Sequence, residues 1–200
     1  GSIKNNFFQA LGIEYIFVRD GHNILDLVHV FEKVKHITHP VAIHCCTVKG
    51  KGYFFAEQNP EKWHWCHPYN ADTGEFRKAT DVPKENYGSI VGQFLMEKIQ
   101  KDKTVIAMTA SVPAYIGFHA ERRKLAGPQY IDVGIAEQNA VTMAAAIAKG
   151  GAKPVFVTGS SFYQRAYDQI EQEMCINKSP ATTLVAFSGI TGHDSNAHVG

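Results

Sequence analysis

The second half of the chain alternates two hydrophobic periods, and that alternation constrains the fold more than any other feature. Four short runs rich in β-branched and apolar residues, "TVIAMTA", "QYIDVG", "PVFVTG" and "ATTLVAF", read as strands. Between and before them stand segments with apolar residues three and four apart: "YGSIVGQFLMEKIQ", "FHAERRKLAG", "AEQNAVTMAAAIAKGG" and "FYQRAYDQIEQEMCIN". That spacing predicts helices, the third ended by Gly150 and Gly151 as a C-cap. Strands alternating with helices feed a parallel sheet with helices on both faces, an α/β fold.

The first half carries one such unit. "IEYIFV" from Ile13 predicts a strand, "RDGHN" a turn, and "ILDLVHVFEKVKHI" an amphipathic helix capped by Asn23. Pro40 breaks that helix, and "VAIHCCTV" predicts a second strand. From Lys49 to Asn86 the texture changes to Gly, Pro, Asn and charge with aromatics interleaved. A structureless stretch of this length is uncommon inside one compact domain, so it predicts a boundary, with the aromatics packing against something.

Composition excludes several classes. With 44% hydrophobic and 20% charged residues the chain is globular rather than disordered. A formal net charge of +1 predicts no nucleic-acid partner. The longest apolar run, "AVTMAAAIA", is too short for a bilayer, and no signal peptide is legible, so a cytoplasmic location with no membrane partner is expected. The four cysteines lack CxxC spacing and are expected to be reduced thiols. No glycine fingerprint follows a first strand, which disfavours a dinucleotide-binding protein.

Several residues invite a chemical role. Glu137 in "DVGIAEQNA" follows a strand and opens a helix, the edge where α/β sheets bind ligands. It is either a first-turn acid favoured by the helix dipole or an acid held against a cofactor's ring nitrogen. Arg165 and Asp168 lie three apart on one helix, to pair or to face solvent. His193, Asp194 and His198 form a polar group near the end, without the fixed geometry a metal needs, so no metal ligand is assigned in this chain. "KGKG" at Lys49–Gly52 has the look of a phosphate loop but lacks Walker A spacing.

The stretches "VRDGHN", "KGKGYFFAE", "YIDVGIAEQNAVTMAAAIAKGGAKPVFV", "SSFYQRAYDQI" and "GHDSNAHVG" together resemble the 1-deoxy-D-xylulose-5-phosphate synthase family, within the thiamine-diphosphate-dependent transketolase superfamily. The resemblance covers nearly the whole chain. It implies that residues 1–65 are the C-terminal part of a diphosphate-binding domain. Residues 66–85 are then a linker, and 86–200 the N-terminal part of a pyrimidine-binding domain. The implied activity is a step of isoprenoid biosynthesis, the condensation of pyruvate with glyceraldehyde 3-phosphate through a C2 ylid with loss of CO2.

The resemblance also implies residue roles. Glu137 hydrogen-bonds the aminopyrimidine N1′, Phe162 stacks on that ring, and Arg165 lies beside it. His64 in "KWHWCHP" reaches the substrate near the reactive carbon, with His67 a competitor for the register. Asp194 and His198 line the sugar-phosphate site. Three positions depart from the family pattern: Phe187 where "DRAG" carries an arginine, Asn139 where histidine is usual, and Gly159 where tyrosine is usual. Phenylalanine makes no bidentate contact to phosphate, so the first departure opens the alternative of a transketolase-like enzyme acting on another sugar.

The family's Gly-Asp-Gly motif for Mg2+ and diphosphate, with its downstream Asn, precedes the region matched and is not present in these residues. The expectation is therefore a piece of a longer enzyme, whether cleaved, cut or the product of a split gene, with "GS" at the start as a cloning scar. Thiamine diphosphate and Mg2+ belong to the intact parent, expected to be a homodimer, and this chain alone is expected to be inactive and to bind neither. A non-catalytic partner or regulatory module is the other alternative.

Overall fold

The computed structural model describes residues 6–64, 66–77 and 86–189. The chain divides into two compact units, Gly1–Val82 and Pro83–Gly200.

In the first unit a short helix α1 (Phe7–Ala10) precedes β1 (Glu14–Val18), α2 (Ile24–Val34) and β2 (Val41–Cys45). β1 and β2 are parallel, with Ile16 opposite Ile43. The crossover helix α2 begins as expected, with Asn23 Oδ1 accepting from the Leu25 and Asp26 amides. The RDGHN turn is tied to the end of β2: Gly21 N–H donates to Cys46 O at 2.8 Å and Val48 N–H to His22 Nε2 at 2.7 Å.

The stretch after β2 is folded. It carries α3 (Phe54–Gln58) and an isolated antiparallel bridge between Tyr69 and Phe76. Its aromatics pack on one another: Trp63 lies 4.7 Å from Tyr69, 4.8 Å from Phe76 and 5.1 Å from Tyr53, ring centre to ring centre. Lys62 Nζ sits 5.0 Å from the centre of the Phe76 ring. The Gly74 backbone lies against the Phe55 ring, where a Cβ would approach to 2.8 Å. Residues 66–77 of the expected linker thus belong to this aromatic knot. Edge-on and tilted ring contacts thus accompany the short bridge that holds this stretch.

The second unit runs α4 (Tyr87–Lys101), β3 (Val105–Thr109), α5 (Ala120–Ala126), β4 (Tyr130–Asp132), α6 (Glu137–Lys149) and β5 (Lys153–Gly159). It continues with α7 (Ser160–Tyr163), α8 (Tyr167–Gln169) and β6 (Thr182–Ala186). The four strands form one parallel sheet in the order β4-β3-β5-β6. Alternate strand residues serve opposite faces, as the period of two requires. Val105, Ala107 and Val157 pack with Leu95, Met96, Ile99 and Phe118, on the side of α4. Met108 and Phe156 pack with Ala140, Val141 and Ala144 of α6 on the other. Helices therefore cover both faces, as the sequence predicts.

One expected element differs. The single helix predicted over 162–177 is broken into α7, a 3-10 turn at Gln164–Ala166, α8, and a π-helix at Ile170–Ile176. Tyr163, Ala166, Ile170 and Met174 all pack into the α6-side core. Spacings of three, four and four, with tightened and widened turns, keep them on the sheet.

Candidate active site

The C-terminal ends of β3, β4, β5 and β6 converge on one edge, and the loops leaving them build the site. Asp132, the last residue of β4, organises two of these loops. Its Oδ1 accepts from Ser111 N–H at 2.8 Å and Gly134 N–H at 3.0 Å. Val133 N–H donates to Thr109 O at 3.1 Å. Ser111 is held at a positive φ of 61°, uncommon for a residue with a Cβ. The chain is thus fixed just before it turns into α6.

Glu137 is the first residue of α6, after an N-cap (Ala136) that offers no side-chain hydrogen bond. The residue is only 2% exposed. Arg165 Nη1 lies 3.5 Å from Glu137 Oε2, close enough for an ion pair, yet among the described residues that oxygen has no hydrogen-bond partner. Both statements hold: the charges are adjacent, but the guanidinium does not point a donor at the oxygen. A buried carboxylate with an unsatisfied acceptor is costly unless something outside the chain completes it. The pairing of Arg165 with Asp168 that the spacing allows is not what the structure shows: Arg165 stands beside Glu137, and Asp168 is exposed.

Phe162 lies in α7, half-buried, three residues before Arg165. A Cβ built on Gly159 would lie 3.4 Å from Phe162 Cδ2 and 3.5 Å from Tyr115 Cε2, so the three residues are neighbours. Tyr115, from the loop after β3, meets Phe187 edge-on with ring centres 4.6 Å apart. Ser160 Oγ donates to Phe187 O at 3.0 Å, and Phe187 has a positive φ of 55°. Below this layer Tyr163 is buried with its hydroxyl donating to Phe156 O at 3.0 Å, and desolvation pushes its pKa well above the usual phenol range.

Glu137, Phe162 and Arg165 therefore share one sheet edge. Asn139 is exposed on α6. His64 is exposed in the first unit, where its backbone N–H donates to Glu61 O at 3.4 Å. His193, Asp194 and His198 lie outside the described residues. In the KGKG turn, Gly52 N–H donates to Glu57 Oε1 at 2.9 Å and Lys51 Nζ is 3.9 Å from Glu57 Oε2. The Glu57 carboxylate thus already takes the Gly52 amide and stands beside Lys51. All four cysteines are free. Among the described residues no helix is long and apolar enough to cross a membrane, and no group of three or more His, Cys, Asp or Glu is placed to hold a metal.

Sequence reasoning missed Asp132, Ser111 and Tyr115. Asp132 followed two residues later by Gly134 is an Asx-turn signal that was legible; the other two depend on chain segments meeting across the sheet.

Comparison with known proteins places these residues in context. The family described as 1-deoxy-D-xylulose-5-phosphate synthase matches residues 2–47, and the family described as transketolase, pyrimidine binding domain, matches residues 84–200. The 1-deoxy-D-xylulose-5-phosphate synthase of Caldanaerobacter subterraneus subsp. tengcongensis is 42% identical over 198 residues, covering 99% of this chain and 31% of that protein. The synthases of Clostridium acetobutylicum and Clostridium tetani are 41% and 42% identical over the same shares. The chain thus spans about a third (31%) of the length of these curated relatives. Among solved structures, a split gene transketolase in an inactive beta4 tetramer aligns at TM-score 0.42 and 24% identity, over 49% of this chain and 33% of that one. The chain carries strong homology to part of the 1-deoxy-D-xylulose-5-phosphate synthases and belongs, through residues 84–200, to the transketolase pyrimidine-binding-domain family.

Proposed function

We propose that this chain is the part of a thiamine-diphosphate-dependent two-carbon transferase that holds the aminopyrimidine end of the cofactor. The observation that carries this reading is Glu137: a carboxylate 2% exposed at a sheet edge, with an acceptor oxygen that no group among the described residues satisfies. A ring N–H of an aminopyrimidine is the kind of donor that would complete it, and Phe162 offers an aromatic face on the same edge. The residues present therefore fit the group.

Thiamine diphosphate, when bound, supplies the carbon nucleophile and the electron sink. Glu137 holds the proton at the pyrimidine ring nitrogen, in surroundings dry enough for that hydrogen bond to be strong. Arg165 orients the carboxylate from the solvent side. Phe162 excludes water from one face of the ring. His64 supplies an imidazole to the substrate in the assembled enzyme. Asp194 and His198 line the substrate site. The diphosphate and its Mg2+ are held by the part of the fold outside this chain, so the chain alone is inactive, and the assembled enzyme is a homodimer. Residues 1–65 and 86–200 are read as parts of the diphosphate and pyrimidine domains, with 66–85 joining them.

The reaction proposed is the family's: pyruvate donates two carbons to an aldehyde with loss of CO2, glyceraldehyde 3-phosphate being the family's acceptor. Phe187 favours a second reading, in which the acceptor is another aldehyde sugar. Calorimetric titration of thiamine diphosphate, with and without Mg2+, tests the assignment. The complete enzyme is expected to bind only with Mg2+, and this chain alone not at all. Submicromolar binding by the chain alone would overturn the division of labour.

A further inference from the structure

The aromatic layer beside Glu137 continues past Phe162. From Gly159 it runs through Tyr115 to Phe187, a row of aromatic rings at the end of β5. Phe187 is locked there rather than loosely placed. Its backbone adopts the left-handed region at φ 55°, its carbonyl accepts from Ser160, and its ring abuts Tyr115. Non-glycine residues held in that region cost free energy, and they persist where the surroundings over-determine them. Phe187 nonetheless stays 41% exposed, so the locked ring presents a face to whatever enters the edge.

Among the described residues of the unit, the arginines and the strand-flanking lysines are elsewhere or engaged. Arg165 faces Glu137, Arg122 donates to Gly117 O at 2.9 Å, and Arg123 donates to Phe118 O at 2.9 Å. Lys103, Lys153 and Lys178 stand before or at the start of β3, β5 and β6, at the opposite end of the strands. A phosphate dianion set against Tyr115 and Phe187 would lose hydration to two aromatic rings that offer it no charge.

We infer that the Tyr115–Phe187 pair is a specificity determinant that admits an aldehyde acceptor carrying no phosphate and disfavours a phosphorylated one. This rests on the two-carbon transfer proposed above.

The test compares D-glyceraldehyde with glyceraldehyde 3-phosphate as acceptors of the complete enzyme, pyruvate being the donor. Wild type is expected to favour the unphosphorylated aldehyde in kcat/KM by about tenfold or more. Phe187→Arg shifts that ratio at least tenfold toward the phosphorylated one. Tyr115→Arg, which places a guanidinium from the other partner of the pair, shifts it in the same sense and covers the case in which the first variant misfolds. A wild-type preference for glyceraldehyde 3-phosphate that neither variant changes would overturn the inference. A calorimetric arm stands apart from turnover: inorganic phosphate is titrated into wild type and both variants. Tighter phosphate binding by the variants supports the apolar wall, and equal binding by all three overturns it. Absence of turnover with either aldehyde counts against the proposed reaction alone, because the phosphate arm still decides the wall.

Discussion

Arg165 brings its Nη1 to 3.5 Å from Glu137 Oε2 without giving that oxygen a hydrogen bond. The pair offsets charge and leaves an acceptor unsatisfied, so the folded chain carries a cost at this position. Burying a carboxylate costs several kcal/mol, whereas a place at a helix N-terminus returns about 0.3–1 kcal/mol. Glu137→Gln keeps the shape and removes the charge. It is expected to raise stability by about 1 kcal/mol, on the order of 4 °C in Tm, in thermal and urea melts. A fall of several degrees would mean that Glu137 is structural.

Asp132 bridges Ser111 and Gly134 through one oxygen. Asp132→Ala releases both amides, and Asp132→Asn keeps an acceptor in place. Amide hydrogen exchange at Ser111 and Gly134 is expected to accelerate at least tenfold in the alanine variant. It should stay near wild type in the asparagine variant. Each such bond contributes about 1 kcal/mol.

Gly92 lies where α4 passes the turn at Pro113–Ile116. A Cβ there would sit 2.3 Å from Arg122 Nη1 and 2.4 Å from Ile116 O. The arginine can swing away, but the carbonyl belongs to the backbone. Gly92→Ala gains about 1 kcal/mol of helix propensity, yet it is expected to lower stability by about 1–3 kcal/mol net, because overpacking wins. Chemical denaturation measures it.

Asp102 ties the end of α4 to the start of β5 through Lys153, at 2.7 Å. The hydrogen bond from Lys153, then those from Thr104, hold its carboxyl well below the usual carboxylate range. A depressed folded-state pKa contributes stability that is present above the unfolded value near 3.8 and is lost as pH falls below it. Asp102→Asn is therefore expected to lower Tm at pH 7, with the gap to wild type shrinking below about pH 4. A gap independent of pH would exclude the ionised pair as its cause.

Much of the fold was legible because it repeats local rules. Each strand of the second unit was visible as a short β-branched run, and Asn23 announced α2 by its capping chemistry. Contacts between distant segments were less legible. The rings of Trp63, Tyr69 and Phe76 were expected to pack against something, and nothing local says that they pack on each other. The π-helix at Ile170–Ile176 answers to the sheet beneath it, because propensity alone favours an ordinary helix there. Glu137 illustrates the same limit at the site. A first-turn glutamate is solvent-exposed by default, whereas here it is 2% exposed at the sheet edge beside Arg165. Phe187 shows its composition in the sequence and its constraint only in the structure, since nothing about phenylalanine announces a positive φ.

The central claim is that the Glu137 carboxylate holds a proton at the cofactor's pyrimidine nitrogen, and hydrogen–deuterium exchange at C2 of thiamine diphosphate bound to the complete enzyme tests it most directly. Glu137→Ala is expected to slow that exchange by at least two orders of magnitude, the scale of general acid–base catalysis, while the circular dichroism spectrum of the protein is retained. An exchange rate equal to wild type in a folded, cofactor-bound variant would contradict the account.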